Sequence, residues 1–467
     1  MRIDTSYYNE LIEKINEKYS NEIEKLREVR DTLRYEGKLE MWWIADHEVF
    51  EIEKFKLWPR TWVFLAHESE IPNPGDYVIR SIGPSDNVIV IRDEEYNIRV
   101  FLNLCTHRGL QLVKTDKGNL RFITCPYHGW TFRCNGKLVG VPLEEIGYGK
   151  LNKEEYNLIE IESKNYYGFI FATLASKESL EDYLGEIRWY FDILVKRNSN
   201  GYQFYPVERR LIKFNWKLGA DSFVHDVYHF VITHRSATNL YSFEYVKNII
   251  SGYQIASKKG HNMRFLGKDG RGKDIPIDFY PILYPVWNMK VIEEAKKNLN
   301  KHQFELFSLA YHISGFIFPN LGFFNGYRKL PDINVEYPKS LGIPHISFRV
   351  IRPVSPDTTE YLNWFVVEKD ASEEFKELSH RTFMNGFGAG GVVETDDIEH
   401  WINITKGSQS VANYIFRIKF PYKLGEHLMS LKDFLGPHNE DLEIIPSGLT
   451  EKSARFMWLK VLDYLID

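Results

Sequence analysis

Apolar residues near the start of the chain fall at helical spacing. Leu11, Ile12, Ile15, Tyr19, Ile23, Leu26 and Leu33 line one side of a charged stretch. This predicts one or two amphipathic helices within residues 1–52, laid against a larger body. From residue 53 to 175 the pattern changes to short β-rich runs broken by turn residues. Thr61–Ala66, Tyr77–Ile82, Val88–Ile91, Ile98–Asn103, Arg121–Thr124, Trp130–Arg133 and Tyr167–Thr173 read as strands. Pro72–Gly75 marks a loop, and Asn135-Gly136 marks a two-residue hairpin. Residues 176–467 mix longer elements. Glu208–Lys217, Ile313–Phe318, His345–Ile351 and Tyr361–Val367 read as strands, and Leu218–Val231, Ala371–Phe383 and Lys452–Leu465 as helices. The expected class is α+β, with a small antiparallel β domain beside a larger domain whose antiparallel sheet is flanked by helices.

Composition narrows the function classes. The 467 residues carry 59 basic against 64 acidic side chains, a net charge of −5. That balance lacks the basic footprint of a nucleic-acid binder. The longest apolar runs, Gly168–Ala175 and Gly315–Phe324, fall short of the roughly 18 residues that span a bilayer. Met1-Arg2-Ile3-Asp4 shows no apolar leader, so the expected location is cytoplasmic. Three cysteines are too few for a disulfide scaffold.

Those cysteines point to metal chemistry. Cys105-Thr106-His107 and Cys125-Pro126-Tyr127-His128 each offer one thiolate and one imidazole at the end of a predicted strand. A Cys2His2 zinc site is one arrangement that fits. Zinc fingers group Cys with Cys and His with His, whereas here the types alternate. Alternation suits a [2Fe-2S] cluster in which one iron takes two Cys and the other two His. The third cysteine, Cys134, lies outside the pattern and reads as a buried small hydrophobe.

A second constellation lies downstream. His229 and His234 are five positions apart, which on an unbroken helix rotates the side chain by about 140°. Both imidazoles reach one ion only if the helix ends or distorts between them. Glu394-Thr395-Asp396-Asp397-Ile398-Glu399 supplies a cluster of carboxylates. Two His and one carboxylate form the facial triad of non-haem Fe(II) oxygenases, which leaves positions open for O2.

Cys-Thr-His-Arg-Gly-Leu and Cys-Pro-Tyr-His-Gly-Trp-Thr-Phe resemble the loops of Rieske oxygenases and ferredoxins. Respiratory Rieske proteins carry an extra, disulfide-forming Cys in each loop, where this chain has Leu110 and Tyr127. Together with the segment Asn215–His234, they give the chain a resemblance over nearly its whole length to the large (alpha) subunit of Rieske non-haem iron aromatic-ring-hydroxylating oxygenases. The resemblance implies a [2Fe-2S] cluster on Cys105, His107, Cys125 and His128. It implies one mononuclear Fe(II) on His229, His234 and Asp397, with Asp396 as the alternative to Asp397. Asp226 becomes the carboxylate through which electrons enter, bridging His229 to the partner subunit's His128 in a homotrimer. Phe223, Phe230, Phe387 and Val393 become the substrate pocket, with bulky Phe230 favouring a smaller ring. Asp221-Ser222 departs from the family's Glu-Asn and alters polarity near the iron.

The implied activity is a terminal oxygenase that uses O2 to hydroxylate an aromatic ring, as a cis-dihydroxylating dioxygenase. Its electrons come from a separate NAD(P)H-dependent reductase, directly or through a ferredoxin, since the chain has no Rossmann glycine fingerprint. The implied assembly is a homotrimer, with or without a small beta subunit. Rieske monooxygenation or demethylation is the nearer alternative, and pure electron carriage the more distant one, for which this chain is far too long.

Overall fold

The computed structural model describes residues 6–224, 227–235, 252–266, 289–310, 312–328, 343–432 and 434–467. Asp226 lies outside the described residues. The architecture is α+β, as the patterning predicts. Two compact units form, one built around Trp58–Leu180 and the other from Lys14–Leu57 with Glu181–Asp467.

The first unit contains three small antiparallel sheets. Strands β1 (Val63–His67), β2 (Asp76–Ile82), β3 (Asp86–Arg92), β4 (Ile98–Leu102) and β5 (Lys117–Asn119) are followed by β6 (Phe122–Thr124), β7 (Thr131–Arg133) and β8 (Leu138–Gly140). Two more, β9 (Glu162–Tyr166) and β10 (Phe169–Thr173), complete the set. The sheets run β4-β3-β2-β5, β6-β7-β8 and β9-β10-β1. The predicted Asn135-Gly136 turn links β7 to β8, with Gly136 at φ +83°. Ile89, Ile91, Phe101, Ile123, Trp130 and Phe132 form a core that also takes in Cys105 and Cys125.

In the second unit, helices α1 (Ser20–Asp31) and α2 (His47–Lys56) precede a nine-stranded antiparallel sheet. Its strands are β11 (Tyr202–Phe204), β12 (Glu208–Ile212), β13 (Gly252–Ser257), β14 (Asn262–Leu266), β15 (His312–Ile317), β16 (Leu321–Arg328), β17 (Ile343–Ser355), β18 (Thr358–Glu368) and β19 (Leu442–Ile445). The order is β11-β18-β17-β16-β15-β14-β13-β19, and β12 also pairs with β18. Helices α3 (Trp216–Val224), α4 (Glu373–Gly386), α5 (Val392–Ser408) and α6 (Lys452–Ile466) belong to the same unit, with several shorter helices.

β17 and β18 are buried almost throughout, so their two side-chain sets enter two different layers. On β17, Phe348 stacks toward Phe204 and Phe323. The alternate set, His345, Ser347 and Arg349, faces the other way.

Two predicted elements differ: the helix expected over Leu218–Val231 ends at Val224, and the strand before it is shorter than expected. The strand expected over Glu208–Lys217 stops at Ile212, and α3 begins at Trp216. Asn215 is the reason. Its side-chain oxygen accepts from the Lys217 N–H at 3.1 Å, which caps the helix. Its amide donates to Pro356 O at 2.6 Å, and its own N–H donates to Thr405 Oγ1 on α5 at 2.9 Å. The next two residues tie α3 to α2. Trp216 Nε1 donates to Glu53 at 2.8 Å, and the buried Lys217 ammonium pairs with the same carboxylate. Asn215-Trp216-Lys217 is therefore an anchor that sets where α3 begins and holds its first turn against α2 and α5.

Candidate metal centres

The two cysteine loops of the first unit share one backbone design. Cys105 N–H donates to Leu110 O at 2.8 Å, and Cys125 N–H donates to Trp130 O at 2.8 Å. Gly109 N–H returns to Cys105 O at 2.7 Å and Gly129 N–H to Cys125 O at 3.0 Å. Closing each turn places its glycine at φ +71° or +74°, the left-handed region where a Cβ is strained. At Gly129 an added Cβ would also lie 2.8 Å from Pro142 Cγ.

These turns bring the four donors together. The His107 and His128 ring centres are 4.6 Å apart, and His107 stacks on Trp130 at 4.7 Å. Tyr148 Oη hydrogen-bonds His107 Nε2 at 3.1 Å, which turns that ring's Nδ1 inward. Nδ1 of both His107 and His128 is buried without a hydrogen-bond partner among the described residues. Both thiols are buried and free of any disulfide. Burial raises the Cys105 thiol above its ordinary value, and the adjacent Cys125 thiol raises it further. Two neighbouring buried thiols and two orphaned imidazole nitrogens are costly alone, and a cationic cluster satisfies all four. The donor set fits a Rieske [2Fe-2S] group. Cys134 does not share the site; its thiol donates to Leu120 O at 3.1 Å, and burial pushes it up to about 11.

In the second unit a helical turn ends between the two histidines. α3 ends at Val224, a single turn covers Phe230–Thr233, and His234 follows at φ −95°, ψ 33°. His229 Nε2 and His234 Nε2 stand 3.1 Å apart, and Asp397 Oδ1 from α5 is 3.3 Å from each. Ligands about 2.1 Å from an ion and at right angles to one another stand about 3 Å apart, so this triangle matches one face of an octahedron. It is also the one three-residue group of potential metal ligands found among the described residues. Burial opposes ionisation of Asp397. Hydrogen bonds with His229 and His234 outweigh it and hold the carboxyl below the usual carboxylate range.

Asp396 is not part of that triangle. Its Oδ2 lies 3.3 Å from His234 Nδ1, on the ring edge away from Asp397. Such a carboxylate orients a ligating imidazole and fixes its tautomer. A helix rotates by about 100° per residue, which is why adjacent aspartates on α5 reach opposite edges of one ring.

Of the expected pocket residues, Phe230 meets the triad directly. The Phe230 ring lies 5.8 Å from the His234 ring. Phe223 on α3 sits over Gly322, where a Cβ would come within 2.9 Å of the ring. Phe387 follows α4, contacts Phe324 at 4.7 Å and lies on the turn leading to α5. Val393 is buried in the first turn of α5. Pattern reasoning missed the polar layer beside these rings. Arg349 Cζ stands 5.2 Å from the Phe223 ring and 4.8 Å from the Phe387 ring, and the guanidinium pairs with Glu394 at 3.3 Å. Glu394 lies one turn before Asp397 on α5. No periodicity distinguishes an inward-facing arginine within a buried strand.

Comparison with known proteins agrees with this construction. Residues 61–148 match the Rieske [2Fe-2S] domain model, and residues 180–442 match the ring hydroxylating alpha subunit catalytic domain model. The large oxygenase component of the Pseudomonas fluorescens naphthalene 1,2-dioxygenase system is 33% identical over 79% of this chain and 79% of its own length. The N,N-dimethyl phenylurea N-demethylase alpha subunit of a Sphingobium species is 32% identical over 77% of this chain and 78% of its own length. The crystal structure of naphthalene 1,2-dioxygenase from a Rhodococcus species, bound to indole, superposes with a TM-score of 0.86 at 34% identity. That superposition covers 95% of this chain and 98% of the other. With a Rieske [2Fe-2S] domain and a catalytic domain of the kind that binds mononuclear iron, the chain belongs to the family of ring-hydroxylating oxygenase alpha subunits.

Proposed function

We propose that this chain is the terminal oxygenase of a multicomponent system that uses O2 to dihydroxylate an aromatic ring in cis fashion. Its electrons originate at NAD(P)H and arrive through a separate reductase, directly or through a ferredoxin. The observation that carries the reading is the pairing of two unlike donor sets in one chain. Cys105, His107, Cys125 and His128 suit a cluster that shuttles electrons. His229, His234 and Asp397 suit an iron with open positions. When bound, the cluster supplies single electrons and the mononuclear iron supplies O2 activation.

The chain's own residues set the conditions for that chemistry. The Asp396 carboxylate accepts from His234 Nδ1–H, so Nε2 presents its lone pair to the Asp397 side. Phe223, Phe230, Phe387 and Val393 exclude water and hold an apolar ring near the triad. Asp226 bridges His229 to the partner subunit's His128 in a homotrimer, with or without a small beta subunit, in the cytoplasm. Residues 1–52, 53–175 and 176–467 serve as N-terminal helical segment, Rieske domain and catalytic domain. Replacement of Asp226 by Ala should leave iron content and visible spectrum intact while turnover falls by more than about tenfold. Unchanged coupled turnover would remove the bridge from this account.

The N-demethylase relative favours a second outcome at the same centres, N-dealkylation. Product analysis separates the two. The enzyme, reconstituted with reductase and ferredoxin, is offered naphthalene, naphthol, naphthoate and N,N-dimethylphenylurea under O2. A cis-dihydrodiol supports dioxygenation. A product confined to the demethylated urea replaces that reading with the second.

A further inference from the structure

Away from the metal triad, His261 and His345 are buried in the catalytic unit and His312 is half-buried, and two of these three have ordinary structural partners. His261 Nε2 pairs with Tyr183 O at 2.9 Å while its Nδ1 accepts from Phe318 N–H at 3.1 Å. His312 Nε2 pairs with Ser314 Oγ at 2.8 Å. His345 differs. It is 1% exposed, and neither ring nitrogen has a hydrogen-bond partner among the described residues. Leaving both polar edges of an imidazole buried and unpaired is a cost that folding alone does not return.

Its position relates that cost to the substrate. The His345 ring lies 5.2 Å from Phe387, at 38°, and 5.2 Å from Phe324, at 25°. Phe387 borders Arg349, whose partner Glu394 is one turn from Asp397. On β16 the residue opposite His345 is Gly326, which puts no side chain beside the imidazole. His345 is therefore one corner of a triangle of rings with Phe324 and Phe387, which stand 4.7 Å from each other, in the layer that carries the proposed pocket. Burial, with the positive charges of Arg349 and Arg328, holds the imidazole well below its ordinary range and keeps it neutral. A neutral imidazole offers one N–H donor and one lone pair.

We infer that His345 determines substrate specificity by hydrogen-bonding an oxygen-bearing ring substituent, so that the preferred substrates are hydroxylated or carboxylated aromatics rather than bare hydrocarbons. The inference rests on the pocket assigned above and deepens it by naming the substrate class. A site built to hydrogen-bond a substituent discriminates strongly against the analogue that lacks it, because the buried polar group is then left unpaired.

The test uses the iron-loaded enzyme and three ligands of one ring skeleton: naphthalene, 1-naphthol and 1-naphthoate. Dissociation constants are measured by equilibrium dialysis, and oxygenation is followed in parallel with the reconstituted system. At least one of the two oxygenated ligands should bind about tenfold more tightly than naphthalene, the size one buried hydrogen bond supports. The tighter of the two identifies a hydroxyl or a carboxylate as the partner. His345→Phe should erase the preference, and His345→Gln, which keeps a donor and an acceptor, should retain most of it. Equal affinity for all three ligands in the unmodified enzyme would overturn the inference, as would a preference that survives in His345→Phe. Either result leaves ring oxygenation standing. Failure to oxygenate any aromatic compound overturns ring oxygenation itself and the inference with it.

Discussion

The Rieske loops and the His229/His234/Asp397 triad assemble their donors in opposite ways. In the first, every donor sits on one of two hairpin-like loops, and each loop is closed by its own backbone hydrogen bonds and a left-handed glycine. In the second, two donors flank a single helical turn and the third comes from α5, far along the chain. A locally closed loop keeps its geometry when distant packing changes. A triad joined across two helices depends on everything that fixes those helices against each other, including Asn215, Thr405 and Glu53. The cluster site should therefore tolerate distant substitutions that the triad does not.

Asp397→Ala carries the largest expected effect. Oxygenation should fall by more than about a hundredfold, the upper end of what a supporting partner alone contributes. The visible spectrum of the cluster should not change. Loss of both signals together would show that the two regions are coupled more tightly than their separate construction implies.

Asp396→Asn is the next smaller perturbation. Loss of the carboxylate beside His234 Nδ1 should weaken iron binding by about ten- to a hundredfold, read by iron titration of the apoenzyme, with the cluster unaffected. Affinity equal to that of the parent would mean that packing alone orients His234.

The smallest effects lie inside the Rieske loops. Gly109→Ala should cost about 1–2 kcal/mol from its left-handed φ alone. Gly129→Ala should cost more, because the new Cβ also meets Pro142. Denaturation followed through cluster absorbance orders the two, and equal losses would remove the steric contribution at Gly129.

The same division explains what was legible in the sequence. Cys105–His107 and Cys125–His128 could be recognised because their chemistry is contained in short segments. The spacing of His229 and His234 required a helix that ends or distorts between them, and the turn over Phe230–Thr233 ends just before His234. Which edge of His234 Asp396 or Asp397 meets depends on the rotation of α5, and no local pattern encodes that. The end of β12 at Ile212 escaped because the apolar pattern continues to Lys217 while Asn215 caps the helix. His345 and Arg349 sat inside a run that reads as ordinary strand, and only the sheet register shows which layer they enter.

The most direct test is iron and sulfide analysis of the purified protein beside its Asp397→Ala and Cys125→Ala variants. Two independent centres predict about three irons per chain in the parent, about two with the cluster spectrum intact in Asp397→Ala, and loss of sulfide in Cys125→Ala. Zinc at the cysteine loops, or an Asp397→Ala variant that keeps all of its iron, would contradict the account.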